Sequence, residues 1–171
     1  PFREISALTG IQITRVYRLF NGKIMKVGEL EAFEKVINNK MAENPSFERL
    51  TSIVEEAVGW LETPLILIKS TIPPGTTKRL KEASGKRICH SPEYVGEGGY
   101  YVPFWLFPHP TEPQHHSFMI IGGASEDREE IMDIFYPVLG ATKTYYQVDE
   151  TTSELIKYME NCAIAAKVTL C

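Results

Sequence analysis

The chain has 171 residues, 43% of them hydrophobic, which suffices for one globular domain with a buried core. Its 18 Lys and Arg against 22 Asp and Glu give a formal net charge of -4, and its basic residues lie in scattered pairs such as Lys78-Arg79 and Lys86-Arg87, expected on solvated surfaces. That pattern argues against sequence-independent nucleic-acid binding, and no run reaches the ~18 apolar residues of a membrane span, so a soluble, cytoplasmic protein is expected.

Residues 1–45 are the least legible stretch. A β-like run over 11–20 meets Asn21-Gly22, a favourable tight-turn pair, and reads as half of a hairpin. From Glu29 to about Asn38 the pattern turns helical. A second helix is expected after Asn44-Pro45, capped by Ser46, with Leu50, Ile53, Val54, Ala57, Val58 and Leu61 along one face. Residues 65–69 then form an unbroken apolar run, the signature of a strand covered on both faces in a parallel sheet. It ends in Ser70-Thr71-Ile72-Pro73-Pro74-Gly75, where hydroxyls, prolines and a glycine make a sharp turn. Thr76 or Thr77 is placed to cap a helix over 76–83.

A short strand over 87–90 leads into Ser91-Pro92-Glu93. The segment 96–114 is rich in proline, glycine and aromatic residues and is expected to be a long ordered loop, with His115 and His116 on the surface. Another strand over 117–121 closes on Gly122-Gly123, and a helix over 125–136 is expected with Ser125 as cap. A last strand over 145–148 precedes a helix from about Thr151. Strands alternating with helices imply an α/β protein with a largely parallel sheet, whose carboxyl edge is where ligands sit.

Four features carry possible chemistry. Ser70 and Thr71 end a buried strand with hydroxyls. Glu93 and Glu97 follow the next strand, where one acid can serve as base or orient water and the other can accept hydrogen bonds; equally, both can complement a helix dipole. On the last helix Glu154, Lys157 and Asn161 share a face among apolar residues. Lys157 and Asn161 are spaced to donate hydrogen bonds to an oxyanion, or else to snorkel and to bond a carbonyl. Finally, Cys89, Cys162 and Cys171 lack any C-x-x-C pairing and the histidines lack a ligand pattern, so reduced thiols and no metal are expected.

Taken in order, residues 69–80 (KSTIPPGTTKRL), 91–98 (SPEYVGEG) and 153–167 (SELIKYMENCAIAAK) resemble motifs of the UDP-glucose/GDP-mannose dehydrogenase family, with Ile120-Ile121-Gly122-Gly123 between them. The resemblance covers roughly residues 50–171. It implies an incomplete Rossmann-like parallel sheet flanked by helices, ending in part of the long connecting helix. Residues 46–150 would be the second half of an NAD-binding domain, 151–171 the start of the connecting helix, and 1–45 remain unassigned.

The activity implied is NAD-dependent, two-step oxidation of a nucleotide sugar's primary alcohol to a carboxylate, through a thiohemiacetal and a thioester on a cysteine. By motif, Ser70, Thr71 and Glu97 would lie beside the cofactor, Glu93 would position the hydrolytic water, Lys157 and Asn161 would stabilise the oxyanion, and Tyr94 and Val95 would touch substrate. The connecting helix would pair two copies into a homodimer. The chain departs from the family in lacking a G-x-G-x-x-G turn and the cysteine-bearing segment, and Cys162 points about 100° away from Asn161 around the helix. A non-catalytic relative that binds a nucleotide, a sugar or a protein is the alternative reading.

Overall fold

The computed structural model describes residues 2–20, 26–42, 45–94 and 116–170. Seven helices and four strands occur among them, in the order α1 (Phe2–Thr9), α2 (Ile13–Phe20), α3 (Val27–Ala42), α4 (Pro45–Trp60), β1 (Ile66–Ile68), α5 (Thr76–Ser84), β2 (Ile88–His90), β3 (Phe118–Gly122), α6 (Ser125–Leu139), β4 (Thr144–Val148) and α7 (Glu150–Leu170).

The sheet runs β1-β2-β3-β4, parallel between β1 and β2 and between β3 and β4. It is Rossmann-like in its alternation of strand and helix, with one difference. β2 and β3 meet antiparallel and only at their carboxyl ends, His90 opposite Gly122. The registers Ile68 with His90, His90 with Gly122, and Gly122 with Val148 therefore set the carboxyl-terminal residues of all four strands in one row. That row is the floor of the site.

Two apolar clusters flank the sheet. Val58, Ile66, Ile68, Ile72, Leu80 and Ile88 join α4 and α5 to β1 and β2, and Cys89, Met119, Ile121 and Ile131 join α6 to β2 and β3. The expected face of α4 is only partly used. Val54 and Val58 pack inward, whereas Ile53 and Leu61 are exposed, because the helix meets the sheet along a narrow seam. Lys86 closes the carboxyl end of α4, its ammonium donating to the carbonyls of Val58, Gly59 and Leu61 at 2.5, 3.2 and 2.9 Å. Arg87 pairs with Asp127 and Glu130, so this basic pair staples elements together instead of lying free.

Several local expectations are corrected. Residues 13–20 form helix α2, not a strand, with Val16 and Leu19 buried at helical spacing. Leu19 packs there against Phe33 of α3 and Leu155 of α7, a tertiary contact that overrides the β propensity of the run. The Asn21-Gly22 turn and the loop 96–114 lie outside the described residues. Helix α3 extends further than expected at both ends, and α4 begins at Pro45, which leaves Ser46 inside the helix. Ala124, not Ser125, occupies the cap position of α6, and no side chain bonds there. His116 is buried, its ring meets that of Tyr94 edge-on, and its carbonyl accepts from Lys143. His115 is outside the described residues.

Candidate functional site

The site grows from the turn after β1. Ser70-Thr71 and the two prolines lead to Gly75 at φ +88°, a left-handed conformation that glycine adopts without strain and that opens helix α5. Gly75 is the cap residue and offers no side chain, so neither Thr76 nor Thr77 caps the helix as expected. The missing acceptor comes from α7. The Glu154 carboxylate accepts Gly75 N–H at 2.5 Å, Thr77 N–H at 2.7 Å and the Thr77 hydroxyl at 2.5 Å. Burial pushes this carboxyl up to about 7, against the lowering by those three bonds.

A second anchor lies one residue back. Ser153 Oγ sits 2.9 Å from His90 Nδ1 and 3.1 Å from the His90 carbonyl, while His90 Nε2 lies 3.2 Å from the Ser70 carbonyl. A carbonyl can only accept, so Nε2 carries the ring proton and donates to Ser70, and the single Ser153 hydroxyl proton is shared between Nδ1 and the His90 carbonyl. Burial holds the imidazole at about 4, which keeps it neutral near pH 7. The chain Ser70, His90, Ser153 thus binds the ends of β1 and β2 to the first turn of α7.

Glycines make that approach possible. A Cβ on Gly122 would collide with Ser153 Cβ and lie 2.7 Å from the Asp149 carbonyl, and one on Gly123 would lie 2.5 Å from Cys89 Sγ. The Ile-Ile-Gly-Gly ending therefore serves packing: only backbone fits between β3 and α7.

One turn beyond Ser153, the Lys157 ammonium lies 4.3 Å from the centroid of the Tyr94 ring, a cation–π contact. Tyr94 in turn meets Phe118 edge-on at 5.2 Å, and burial raises its hydroxyl well above the ordinary range. Beside this pair opens a cleft of about 440 Å³ walled by Tyr94, Phe118, Ile120, Tyr146, Val148 and Ile156, with Glu160 among its lining residues. Glu93 is half-buried and pairs with Lys69 at 3.4 Å.

The structure therefore brings together the segments bearing Ser70, Thr71, Glu93, Tyr94 and Lys157 at the carboxyl row. Ser70 is exposed with its carbonyl engaged, and Thr71 is half-buried in the turn. Asn161 is exposed on α7, one turn past Lys157. Glu97 and Val95 lie outside the described residues. Cys162, expected in a small buried position, is exposed, since α7 has left the sheet by that turn. The sequence assigned no role to His90 or to Ser153, although Ser153 opens the 153–167 motif, and it placed Glu154 on the helix face without a partner. A signal existed for Glu154: an acid four residues after Glu150 and surrounded by core residues needs a donor.

Among the described residues no group of three or more His, Cys, Asp or Glu is placed to hold a metal, and no helix is long and apolar enough to cross a membrane.

No family model matches the chain. Two curated relatives are informative. UDP-glucose 6-dehydrogenase of Rickettsia conorii is 32% identical over 109 residues, 61% of this chain and 23% of that protein. UDP-N-acetyl-D-mannosamine dehydrogenase of Methanocaldococcus jannaschii is 32% identical over 117 residues, 66% of this chain and 25% of that protein. The chain thus spans about a quarter of the length of the curated relatives it matches. Among solved structures, GDP-mannose dehydrogenase from Pseudomonas aeruginosa aligns with a TM-score of 0.53 at 14% identity, over 97% of this chain and 48% of that one, a likeness of fold. Shared sequence with enzymes acting on different sugars, set on a Rossmann-like sheet, places this chain in the UDP-glucose/GDP-mannose dehydrogenase family, of whose members it spans a part.

Proposed function

We propose that the chain forms part of an NAD-dependent nucleotide-sugar 6-dehydrogenase that oxidises a sugar primary alcohol to a carboxylate. The observation that carries this reading is the approach of α7 to the carboxyl row, which brings Lys157 to Tyr94 of the SPEYVGEG segment. In this reading Lys157 and Asn161 donate hydrogen bonds to the oxyanion of the covalent intermediates, and Glu93 orients the water that hydrolyses the thioester. Tyr94 and Val95 contact the sugar nucleotide, and Glu97 joins Ser70 and Thr71 on the cofactor side.

The fit to the cofactor is partial. Ser70 and Thr71 present hydroxyls at the end of β1, a donor and acceptor set suited to the amide and ribose of a nicotinamide nucleoside. A dinucleotide's diphosphate is commonly held at a helix amino end, but that of α5 is filled by Glu154, and the sequence has no glycine fingerprint. NAD supplies the hydride acceptor when bound, and the described residues suit only its nicotinamide side. We further read the protein as cytoplasmic and as pairing with a second copy along α7, where Ile164 is exposed.

Calorimetric titration of the chain with NAD, UDP-glucose and a UDP-N-acetyl sugar tests the proposal. Binding of a nucleotide sugar that weakens in Lys157→Ala is expected. Binding of neither cofactor nor sugar nucleotide would overturn it and favour the non-catalytic interaction role.

A further inference from the structure

The contact between α5 and α7 has two rungs. Thr77 bonds Glu154, and one turn further along each helix the Lys81 ammonium bonds the Glu150 carboxylate at 3.1 Å. As residue numbers rise on α5 they fall on α7, so the rungs join two helices running in opposite directions. The two rungs fix both the height and the rotation of α7, because a slip of one turn, about 5.4 Å, breaks both.

Glu154 is the inner rung, with a relative exposure of 1%, and Thr77 beside it is fully buried. It meets three donors with two oxygens, which only a carboxylate among the side chains can do. Its bond to Gly75 is distinctive. Gly75 belongs to the same turn as Thr71, and Lys157 follows Glu154 by three residues on the adjoining face of α7. A path of one hydrogen bond therefore links the β1 turn to the helix that carries Lys157. Of the two rungs, that of Thr77 with Glu154 is buried and that of Lys81 with Glu150 is partly exposed to water, so the Glu154 bonds are the firmer restraint on the rotation of α7 beside the Ser153–His90 bond.

We infer that Glu154 is a positioning residue: by closing the amino end of α5 it sets the rotation of α7 and holds Lys157 over Tyr94, at a fixed place relative to Thr71. The same occupancy denies the α5 amino end to any phosphate. What Lys157 is held in place to do rests on the function proposed above, but where it is held does not.

The test is solution NMR on the whole chain, comparing wild type with Glu154→Gln. Glutamine offers one oxygen and one amide, so a donor must face either Gly75 or Thr77. Loss of amide-exchange protection at that position is expected, together with loss of the upfield ring-current displacement that Tyr94 imposes on the Lys157 side-chain protons. A residue that served stability alone would lower the melting temperature and leave the Lys157 signal in place. An unchanged Lys157 displacement in folded Glu154→Gln overturns the inference. If that variant does not fold, Thr77→Val, which removes only the hydroxyl donor, carries the test: a reduced Lys157 displacement supports the inference and an unchanged one overturns it. Nucleotide-sugar titration of the wild type is read separately, since failure to bind defeats the functional proposal while the Lys157 signal still decides the role of Glu154.

Discussion

Replacing Gly122 by alanine probes the closeness of β3 to α7, on which the whole site depends. The added Cβ collides with Ser153 Cβ, and it lies 2.7 Å from the Asp149 carbonyl oxygen and 3.0 Å from Glu150 Cα. Two of these neighbours are backbone, so no rotamer change relieves them and the first turn of α7 must retreat. Overpacking of this kind costs about 1–3 kcal/mol. A retreat of even ~1 Å also stretches the 2.9 Å contact between Ser153 and His90 past hydrogen-bonding range, and a buried group left unsatisfied costs about 1–3 kcal/mol more. Together these come to roughly 2–6 kcal/mol, a large part of the ~5–15 kcal/mol that stabilises an ordinary domain. With a urea m-value of about 1–3 kcal/mol/M, the midpoint is expected to fall by at least ~0.7 M. Gly59 provides the control: it is helical, with open space around its Cβ position. Gly59→Ala is expected to raise stability by up to about 1 kcal/mol through helix propensity. A Gly122→Ala midpoint equal to wild type, or moving with Gly59→Ala, would refute the reasoning.

His90 and Glu154 give opposite pH dependences. The imidazole drops from its ordinary 6.5 to about 4 in the fold, so its stabilising effect is complete above pH 6.5 and is lost as pH falls towards 4. The Glu154 carboxyl rises from 4.5 to about 7, so the unfolded chain binds fewer protons between those values and stability declines as pH rises through them. Each effect amounts to about 3 kcal/mol at most, and they oppose one another between pH 4.5 and 6.5. Denaturation midpoints measured across pH 4–8 should therefore fall with rising pH in His90→Asn and fall with declining pH in Glu154→Gln; parallel profiles in the two variants would contradict the assignment. Leu155→Ala removes a side chain that is 2% exposed and packed with Leu19 and Phe33, at a cost of about 2–5 kcal/mol. Hydrogen exchange should then quicken first in α1 to α3, and uniform loss across the sheet would show that those helices do not depend on α7.

Much of the framework was legible in the sequence because it rests on local signals. The apolar run before Ser70 gave β1, Ile120-Ile121 gave β3, and the spacing from Thr151 onward gave α7, each bounded within a few residues of the observed element. Helix α2 was not legible, since the β-branched residues of the run suit a strand and the packing of Leu19 on Phe33 and Leu155, distant in sequence, favours the helix. The caps failed for a related reason. A serine or threonine at a helix start is a local candidate, yet α5 is closed by an acid 77 residues away from Thr77, and α6 begins without any side-chain cap.

Periodicity and turn chemistry act between neighbours along the chain, and they were enough to show that β1 is buried, where the turn after it lies, and which motifs carry hydroxyl, acid and amine. Contacts between distant elements set the carboxyl ends of all four strands in one row, brought β2 to β3 antiparallel, and fastened α7 to His90 and to α5 through Ser153 and Glu154. The physical reason is that a buried polar group must find a partner wherever one is available in space, and no pattern along the chain names a partner that arrives from another element.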